Sequence, residues 1–243
     1  MGNSVRVEGV GHRYGGVVAL EDLSVDFPIG VTAVLGPNGA GKSTLLGLLS
    51  TGLRIQSGTV VAWGVDSVRD RTAYRCALGF LPQTFTLPGN LTVAELLTLA
   101  AWQRLVPRRE RASAVAEALA AVDLTGRKDT KVAKLSGGMH RRVGIAQAIV
   151  NRPDVVLLDE PTAGLDPRQR RGLRDLVRAV ADQRTVVLST HLTEDVAAMA
   201  DRVAVLDEGR IRFTGTVDEF TGGTGAGAAH IDEAYDSLVG DER

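Results

Sequence analysis

A glycine-rich segment that ends in a lysine and two hydroxyl residues is the first stretch of the chain that could carry chemistry. Its nine residues are Gly36, Pro37, Asn38, Gly39, Ala40, Gly41, Lys42, Ser43 and Thr44. They fit the pattern G-x-x-x-x-G-K-[ST], in which loop N–H groups and the start of a helix hold phosphate oxygens. In such a loop Lys42 reaches the β- and γ-phosphates and Ser43 ligates Mg²⁺. We therefore predict a nucleotide site, in preference to a structural turn or a dinucleotide loop.

The residues on either side supply the structural context that this motif requires. Residues 31–35 are apolar and β-branched, which predicts a buried strand. Residues 44–49 follow the loop with a leucine-rich, helical pattern. The order strand, glycine loop, helix brings backbone N–H groups and the positive end of a helix dipole to the loop.

Two carboxylates follow a second apolar strand. Residues 155–158 lead directly into Asp159 and Glu160, and buried charges of this kind require partners. Mg²⁺ would be such a partner for Asp159, as in other phosphate-loop ATPases. Glu160 would then be free to orient or deprotonate a water that faces the γ-phosphate. A structural acid pair is the alternative, and the upstream phosphate loop disfavours it.

Two further polar residues come at the ends of predicted strands. Gln83 follows a strand at residues 77–82, where it could reach a metal ion or a water, although a bare glutamine in a loop is usually just solvated. His191 follows a strand at residues 185–190, on the same sheet edge as the acids, and could contact a γ-phosphate. The other three histidines have no such placement.

A second anion-ready helix start lies further along the chain. Its residues are Leu135, Ser136, Gly137, Gly138 and Met139. Ser136 is a good N-cap, and the glycines leave the helix N-terminus open to an anion. An ordinary capped start is the alternative, but a double glycine lowers helix propensity and indicates a need for close approach. Because the phosphate loop already holds one nucleotide, we expect this start to serve a nucleotide held by another copy.

The N-terminal part predicts an antiparallel layer with one aromatic residue near the phosphate loop. Residues 4–10, 17–20 and 23–27 have the pattern of short strands. Tyr14 lies between the first two of them. It could stack on a nucleotide base or fill the core at a strand edge, and the sequence leaves both interpretations open.

Residues 88–150 have a helical texture. Thr92 is the expected N-cap of a first helix, and residues 107–122 are predicted as a second one with Pro107 near its start. Residues 123–133 are polar and loop-like, and the helix after Ser136 should run to about residue 150. Later in the chain, Asp166 is predicted to cap a helix at residues 168–181.

These patterns together predict an α/β fold: a phosphate-loop ATPase core with an N-terminal antiparallel β layer and an inserted helical lobe. We expect one domain over residues 1–243. Its predicted parts are an α/β core at residues 1–87 and 151–220, a helical lobe at 88–150, a flexible segment at 221–229 and a short helix at 231–239 within the C-terminal stretch 221–243.

Composition limits the classes of partner. The 243 residues are 44% hydrophobic and carry a net charge of −1, with a pI of about 6.4, so no nucleic-acid partner is expected. The single cysteine, Cys76, excludes an intrachain disulfide and fits a reducing compartment. No apolar run approaches the roughly 18 residues of a membrane span, and the N-terminus lacks a signal-peptide pattern. Work at a membrane would therefore require docking onto a spanning partner.

Seven motifs in one order resemble the ATP-binding subunit of ABC transporters over nearly the whole chain. The matching residues are Tyr14 for the adenine-stacking loop, residues 36–44 for Walker A, Gln83 for the Q-loop, residues 135–139 for the signature, residues 155–160 for Walker B, Gly164, Leu165 and Asp166 for the D-loop, and His191 for the switch histidine. Met139 stands where the commonest signature has glutamine. With the basic residues after it and the tail at residues 231–240, it is similar to the branch of ABC-2-type exporters.

The resemblance implies a function with defined partners. It implies ATP hydrolysis with Mg²⁺ by two head-to-tail domains, each nucleotide lying between one Walker A loop and the other copy's signature. Lys42, Glu160 and His191 would be catalytic, and Ser43, Gln83 and Asp159 would position the metal directly or through water. The partners would be a membrane-spanning permease subunit and a second copy or a relative, at the cytoplasmic face of the cell membrane.

Three other interpretations remain for comparison. A soluble ABC ATPase acting on DNA or ribosomes usually has two ATPase domains or a long coiled-coil insertion, whereas this chain has one set of motifs. A phosphate-loop kinase would leave residues 136–138 unexplained. Asn151, Arg152 and Asp154 resemble a guanine-reading motif of GTPases, but they precede the acidic strand and are better interpreted as a helix end.

Overall fold

Two sheets and a set of helices make up the part of the chain that the structure, a computed structural model, describes, namely residues 4–240. The strands are β1 (Ser4–Tyr14), β2 (Val17–Pro28), β3 (Gly30–Leu35), β4 (Ser57–Ala62), β5 (Val65–Asp66), β6 (Leu78–Leu81), β7 (Val155–Asp159), β8 (Thr185–Thr190), β9 (Arg202–Asp207) and β10 (Arg210–Thr216). The helices are α1 (Lys42–Leu49), α2 (Arg71–Cys76), α3 (Val93–Gln103), α4 (Arg111–Ala121), α5 (Gly137–Ile149), α6 (Pro167–Val180), α7 (Thr193–Met199), α8 (Val217–Phe220) and α9 (Ala228–Gly240).

The predicted fold class is confirmed. An antiparallel sheet has the order β2-β1-β4-β5, and a mixed sheet has the order β10-β9-β3-β8-β7-β6. In the mixed sheet all pairs are parallel except β9 with β10. Side chains alternate between the two faces of a strand, and in the central strands both faces are buried. In β7, Val156 and Leu158 join one apolar cluster while Val155 and Leu157 join the other.

Several predicted boundaries were wrong in informative ways. The two short strands expected at residues 17–20 and 23–27 are one strand, β2, which accommodates Asp22 at φ 45° beside a register shift against β1. Helix α4 begins at Arg111 and not at Pro107. Pro107 begins the preceding turn, in which its carbonyl oxygen accepts from the Glu110 N–H at 2.8 Å. The predicted loop at residues 123–133 contains two short 3₁₀ turns.

The C-terminal region is more helical than expected. Helix α9 begins at Ala228, three residues before the predicted start, and it packs against α7. Ile231 is fully buried at that contact. The predicted flexibility of the preceding glycine-rich stretch stays a prediction.

The sheet topology brings the candidate residues to one edge. Strands β3, β6, β7 and β8 run parallel, so their carboxyl ends open on the same side of the sheet. The phosphate loop follows β3, Gln83 follows β6, the acid pair ends β7 and His191 follows β8. Crevices at this edge are where open α/β sheets bind ligands.

Candidate active site

The phosphate loop opens directly onto the start of α1. Gly41 is the N-cap residue at φ 107°, without a side-chain cap, so the first N–H groups of the helix face the loop. A Cβ at Gly41 would lie 2.7 Å from the Ala19 carbonyl oxygen, and one at Gly36 would lie 2.1 Å from that of Leu206. Close backbone approach therefore requires glycine at both positions, and the positive φ also favours it at Gly41.

Lys42 lies folded over its own loop. It is only 5% exposed, and its Nζ donates to the carbonyl oxygens of Gly36 at 2.7 Å and Pro37 at 2.9 Å. Burial lowers the pKa of Lys42, and the nearby carboxylates of Glu160 and Asp159 partly offset this effect. The Lys42 ammonium therefore lies between the loop carbonyls and the acid pair. A phosphate that binds there would contact a cation that is already removed from water.

Asp159 is surrounded by hydroxyl groups. Ser43 Oγ lies 3.3 Å from Asp159 Oδ1, and Ser189 Oγ donates to the same oxygen at 2.5 Å. Mg²⁺ prefers oxygen ligands and usually takes one carboxylate together with phosphates and waters. The donor set of Ser43 and Asp159 fits that requirement.

Glu160 is held by three separate elements. Its backbone is left-handed at φ 44°, its N–H donates to Ser189 Oγ at 2.9 Å, and the residue is only 9% exposed. Its Oε2 accepts from Gln83 Nε2 at 3.3 Å, and its Oε1 lies 3.2 Å from His191 Nδ1. The side chain of Gln83 thus contacts Glu160, and its predicted contact with a metal ion stays a prediction.

Two buried residues of the site were missed by sequence reasoning. Ser189 is fully buried and joins the Asp159 carboxylate to the Glu160 N–H. No sequence pattern marks it, because Ser189 lies opposite Asp159 only through the register of β7 with β8. Asp195, also fully buried, accepts from Thr162 and Thr190 and forms an ion pair with Arg174 at 2.6 Å. It connects the turn after Glu160 to the strand end before His191.

A cavity of about 520 Å³ lies over the phosphate loop. Its lining includes Tyr14, Val18, Lys42, Gln83 and Glu160. Tyr14 is 51% exposed, so the core interpretation of this residue is wrong. The buried ring of His12 meets the Tyr14 ring edge-on, with centroids 4.7 Å apart. The exposed face of the phenol leaves room for a base, and stacking on adenine stays a prediction.

The second helix start lies apart from this cavity. Ser136 caps α5 as predicted, accepting from the Met139 N–H at 3.4 Å, and both Ser136 and Gly137 are exposed. Within residues 4–240, no member of 135–139 lines the cavity over the phosphate loop. A Cβ at Gly138 would lie 2.9 Å from the flexible end of the Gln169 side chain on α6.

The turn between the acid pair and α6 carries the three D-loop residues. Gly164 is exposed at φ 73°, and Leu165 is 9% exposed. Asp166 caps α6 by accepting from the Gln169 N–H at 2.8 Å, with Pro167 as the first helical residue, as predicted.

The parallel sheet, the phosphate loop and the acid pair at one edge define the class of phosphate-loop ATPases. A sequence model of the family described as "ABC transporter" matches residues 20–163, and the chain belongs to this family. It is an ATP-binding subunit that hydrolyses ATP to power transport. No helix among residues 4–240 has both the length and the apolar character needed to cross a membrane.

Individual relatives refine the comparison. The chain is 43% identical over 227 residues to "Daunorubicin resistance ATP-binding protein DrrA3" of Streptomyces coeruleorubidus, covering 91% of this chain and 71% of that protein. It is 36% identical over 236 residues to "Daunorubicin/doxorubicin resistance ATP-binding protein DrrA" of Streptomyces peucetius, covering 94% and 70%. A solved "Structure of ATP binding subunit of ABC transporter" superposes with a TM-score of 0.83 at 27% identity, covering 97% and 99%.

Proposed function

We propose that this chain powers export through a membrane-spanning partner, and that two copies, or one copy and a relative, close around ATP at shared sites. The observation that carries the proposal is the convergence of Lys42, Glu160, Gln83 and the phosphate loop on one cavity. Asp159 and His191 lie within hydrogen-bonding distance of that group.

Each residue has a role that follows from its surroundings. Lys42 exchanges its loop carbonyls for phosphate oxygens, and the α1 N–H groups bind the same phosphates. Ser43 and Asp159 would hold Mg²⁺, which would supply charge stabilisation at the phosphates when bound. Glu160 accepts a proton from the water that attacks the γ-phosphorus, and the bond to the ADP oxygen breaks. His191 donates a hydrogen bond to the γ-phosphate as negative charge shifts.

Sharing between two copies explains the otherwise unused helix start. One chain offers two anion-binding starts, but the lysine and the metal ligands accompany only the first. The exposed start at Ser136 would bind the γ-phosphate of a nucleotide on the facing copy. The site in a single chain is therefore incomplete on its open side.

A basic, partly apolar surface supports docking of a membrane-spanning partner. A cavity of about 480 Å³ is lined by Arg75, Phe80, Arg104 and Leu105, among others. Leu105 is 66% exposed, and the nearby Trp102 is 57% exposed. Exposed apolar side chains of this size, beside arginine side chains, are typical of interaction sites. Such docking would hold the chain at the cytoplasmic face of the membrane.

Export is supported by two independent features. Met139 and the basic residues after it resemble the ABC-2-type exporter branch. Relatives with drug-resistance names match over more than 90% of this chain. Everted membrane vesicles from cells carrying the whole transporter test the direction, because export appears there as ATP-driven uptake. ATP-driven loss of solute from such vesicles would contradict export.

Site-directed photocrosslinking tests the docking surface. A benzophenone amino acid at position 105 should form a product with an integral membrane protein in native membranes. The same group at position 178, on the exposed face of α6, is the matched control and should not. In a strain without any candidate spanning subunit, the chain should be recovered in the soluble fraction. Products with soluble proteins alone, or equal products from both positions, would contradict the docking proposal.

A further inference from the structure

We propose that Arg141 is a positioning residue for hydrolysis, which locks the Gln83 loop and the turn after Glu160 in one fixed relation. This inference deepens the proposed function and rests on it. Arg141 lies in the second turn of α5 and is only 9% exposed. It is one of the basic residues after Met139, and no role in the ATP site is assigned to it above.

The guanidinium of Arg141 joins two loops that are distant in sequence. One nitrogen, Nη1, donates to the Gln83 carbonyl oxygen at 3.1 Å, and Nη2 donates to the Ala163 carbonyl oxygen at 3.3 Å. The Ala163 N–H in turn donates to the Glu160 carbonyl oxygen at 3.1 Å. The planar fork of arginine suits two carbonyls at a fixed separation, which a lysine cannot match.

Together with the Gln83–Glu160 hydrogen bond, these contacts form a closed circuit of interactions. The side chain of Gln83 contacts Glu160 at 3.3 Å, while the main chains of both segments are tied to Arg141. If the guanidinium is removed, the two segments are free to shift apart. Glu160 then loses one of the contacts that fix its carboxylate over the phosphate loop.

Burying a cation costs free energy, so the groups that offset this cost for Arg141 indicate its role. No carboxylate pairs with Arg141 in the described part of the chain. Burial lowers the pKa of Arg141, while Asp159 and Glu160 act in the opposite direction from a distance. The guanidinium also lies 5.4 Å from the centre of the Phe85 ring. The partners of Arg141 are thus the carbonyls of Gln83 and Ala163 and the Phe85 ring, so its contacts fix the positions of the two loops that carry them.

Phe85 extends the arrangement towards the proposed docking surface. The Phe85 ring lines a groove together with Phe80, Gln103 and Arg104, which also line the basic cavity. Arg141 therefore contacts a wall of the groove beside the proposed docking surface on one side and the loops of the ATP site on the other.

The adjacent Arg142 provides a matched control. It also donates to two main-chain carbonyls, those of Val122 at 2.8 Å and Gly172 at 3.4 Å, but neither belongs to the Gln83 loop or to the turn after Glu160. We expect Arg141→Met to lower kcat about 10- to 100-fold, since misplacing a reacting group by about 1 Å costs roughly that much. KM for ATP should change less than threefold, and Arg141→Lys should recover part of the rate. Arg142→Met should leave kcat within about threefold of the parent.

A double-variant cycle separates positioning from general loss of structure. If Arg141 acts through Gln83, then Arg141→Met should cost almost nothing further in a Gln83→Ala background. Multiplicative losses in the double variant, or an equal loss in Arg142→Met, would overturn the proposal.

Amide hydrogen exchange gives a readout that does not depend on hydrolysis. In the nucleotide-free chain, Arg141→Met should speed exchange in both residues 83–87 and residues 161–165, and Arg142→Met in neither. Unchanged exchange in both segments would also overturn the assignment. A parent chain that fails to hydrolyse ATP would count against the proposed function alone, because the exchange measurement still tests Arg141.

Discussion

The two helix starts that can bind an anion differ in how completely each is equipped. The start of α1 has an uncapped glycine, a buried lysine and a hydroxyl beside a carboxylate. The start of α5 has a serine cap at 3.4 Å, one exposed glycine, Gly137, and no lysine within its first turn. The start of α1 has all the groups of a phosphate site, whereas the start of α5 can only add contacts to a phosphate that another chain binds. The shared-site proposal predicts this difference, because the two helix starts would form the two halves of one composite site.

Glu160→Gln should have the largest effect on the first site. The amide keeps the size of the side chain but removes its basicity, and loss of a general base slows chemistry roughly 10²- to 10⁴-fold. ATP binding should persist, so sedimentation with Mg²⁺ and ATP should show a closed dimer and ADP should show a monomer. A monomer under both conditions would point to a heterodimer with an absent relative.

Ser136→Arg should have the next largest effect, and on the second start. A bulky side chain there replaces the serine hydroxyl and blocks access of the facing nucleotide to the helix start, and loss of such preorganised donors costs roughly 10²- to 10³-fold in kcat. In a Glu160→Gln chain it should also abolish the ATP-dependent dimer, while ATP binding to the single chain stays nearly intact.

Ser113→Arg, at an exposed serine near the start of α4, is the control for added charge and bulk. It should leave the dimer unchanged. A dimer that persists in Ser136→Arg at unchanged affinity, regardless of nucleotide, would sink the shared-site mechanism.

Ser189→Ala should weaken the first site by a smaller amount. It removes the hydroxyl that joins the Asp159 carboxylate to the Glu160 N–H. A hydrogen bond to a charged group contributes about 1.5–3 kcal/mol, so kcat should fall roughly 10- to 100-fold. Ser189→Thr keeps the hydroxyl and should recover most of the rate in the same ATPase assay. Equal losses in both variants would assign Ser189 to packing alone.

Tyr14→Ala should have the smallest effect, because it acts on the base and not on the phosphates. An aromatic stack contributes about 0.5–1.5 kcal/mol, which is roughly a two- to tenfold weaker ATP affinity. Tyr14→Phe and Tyr14→Trp should bind ATP nearly normally. Tripolyphosphate, which lacks the base, should bind equally to all four proteins, and a base-independent loss would indicate a structural role.

Much of the local structure could be predicted from the sequence because it depends on neighbouring residues. Thr92, Ser136 and Asp166 each cap a helix through a bond to the N–H three residues later, which any extended cap position allows. The phosphate loop is likewise set by its own glycines, and the apolar runs of β3 and β7 identify buried strands. The fold class and the order of the site residues followed from these local patterns.

Only the tertiary structure decided which side chains meet. Glu160 contacts Gln83, 77 residues away, and His191, 31 residues away. Ser189 and Asp159 meet because β7 and β8 pair in one particular register, and a shift by one residue would turn each side chain to the other face. Arg141 bridges two loops only because α5 packs beside both. Contacts of this kind depend on the summed packing of distant elements, which no short window of sequence contains.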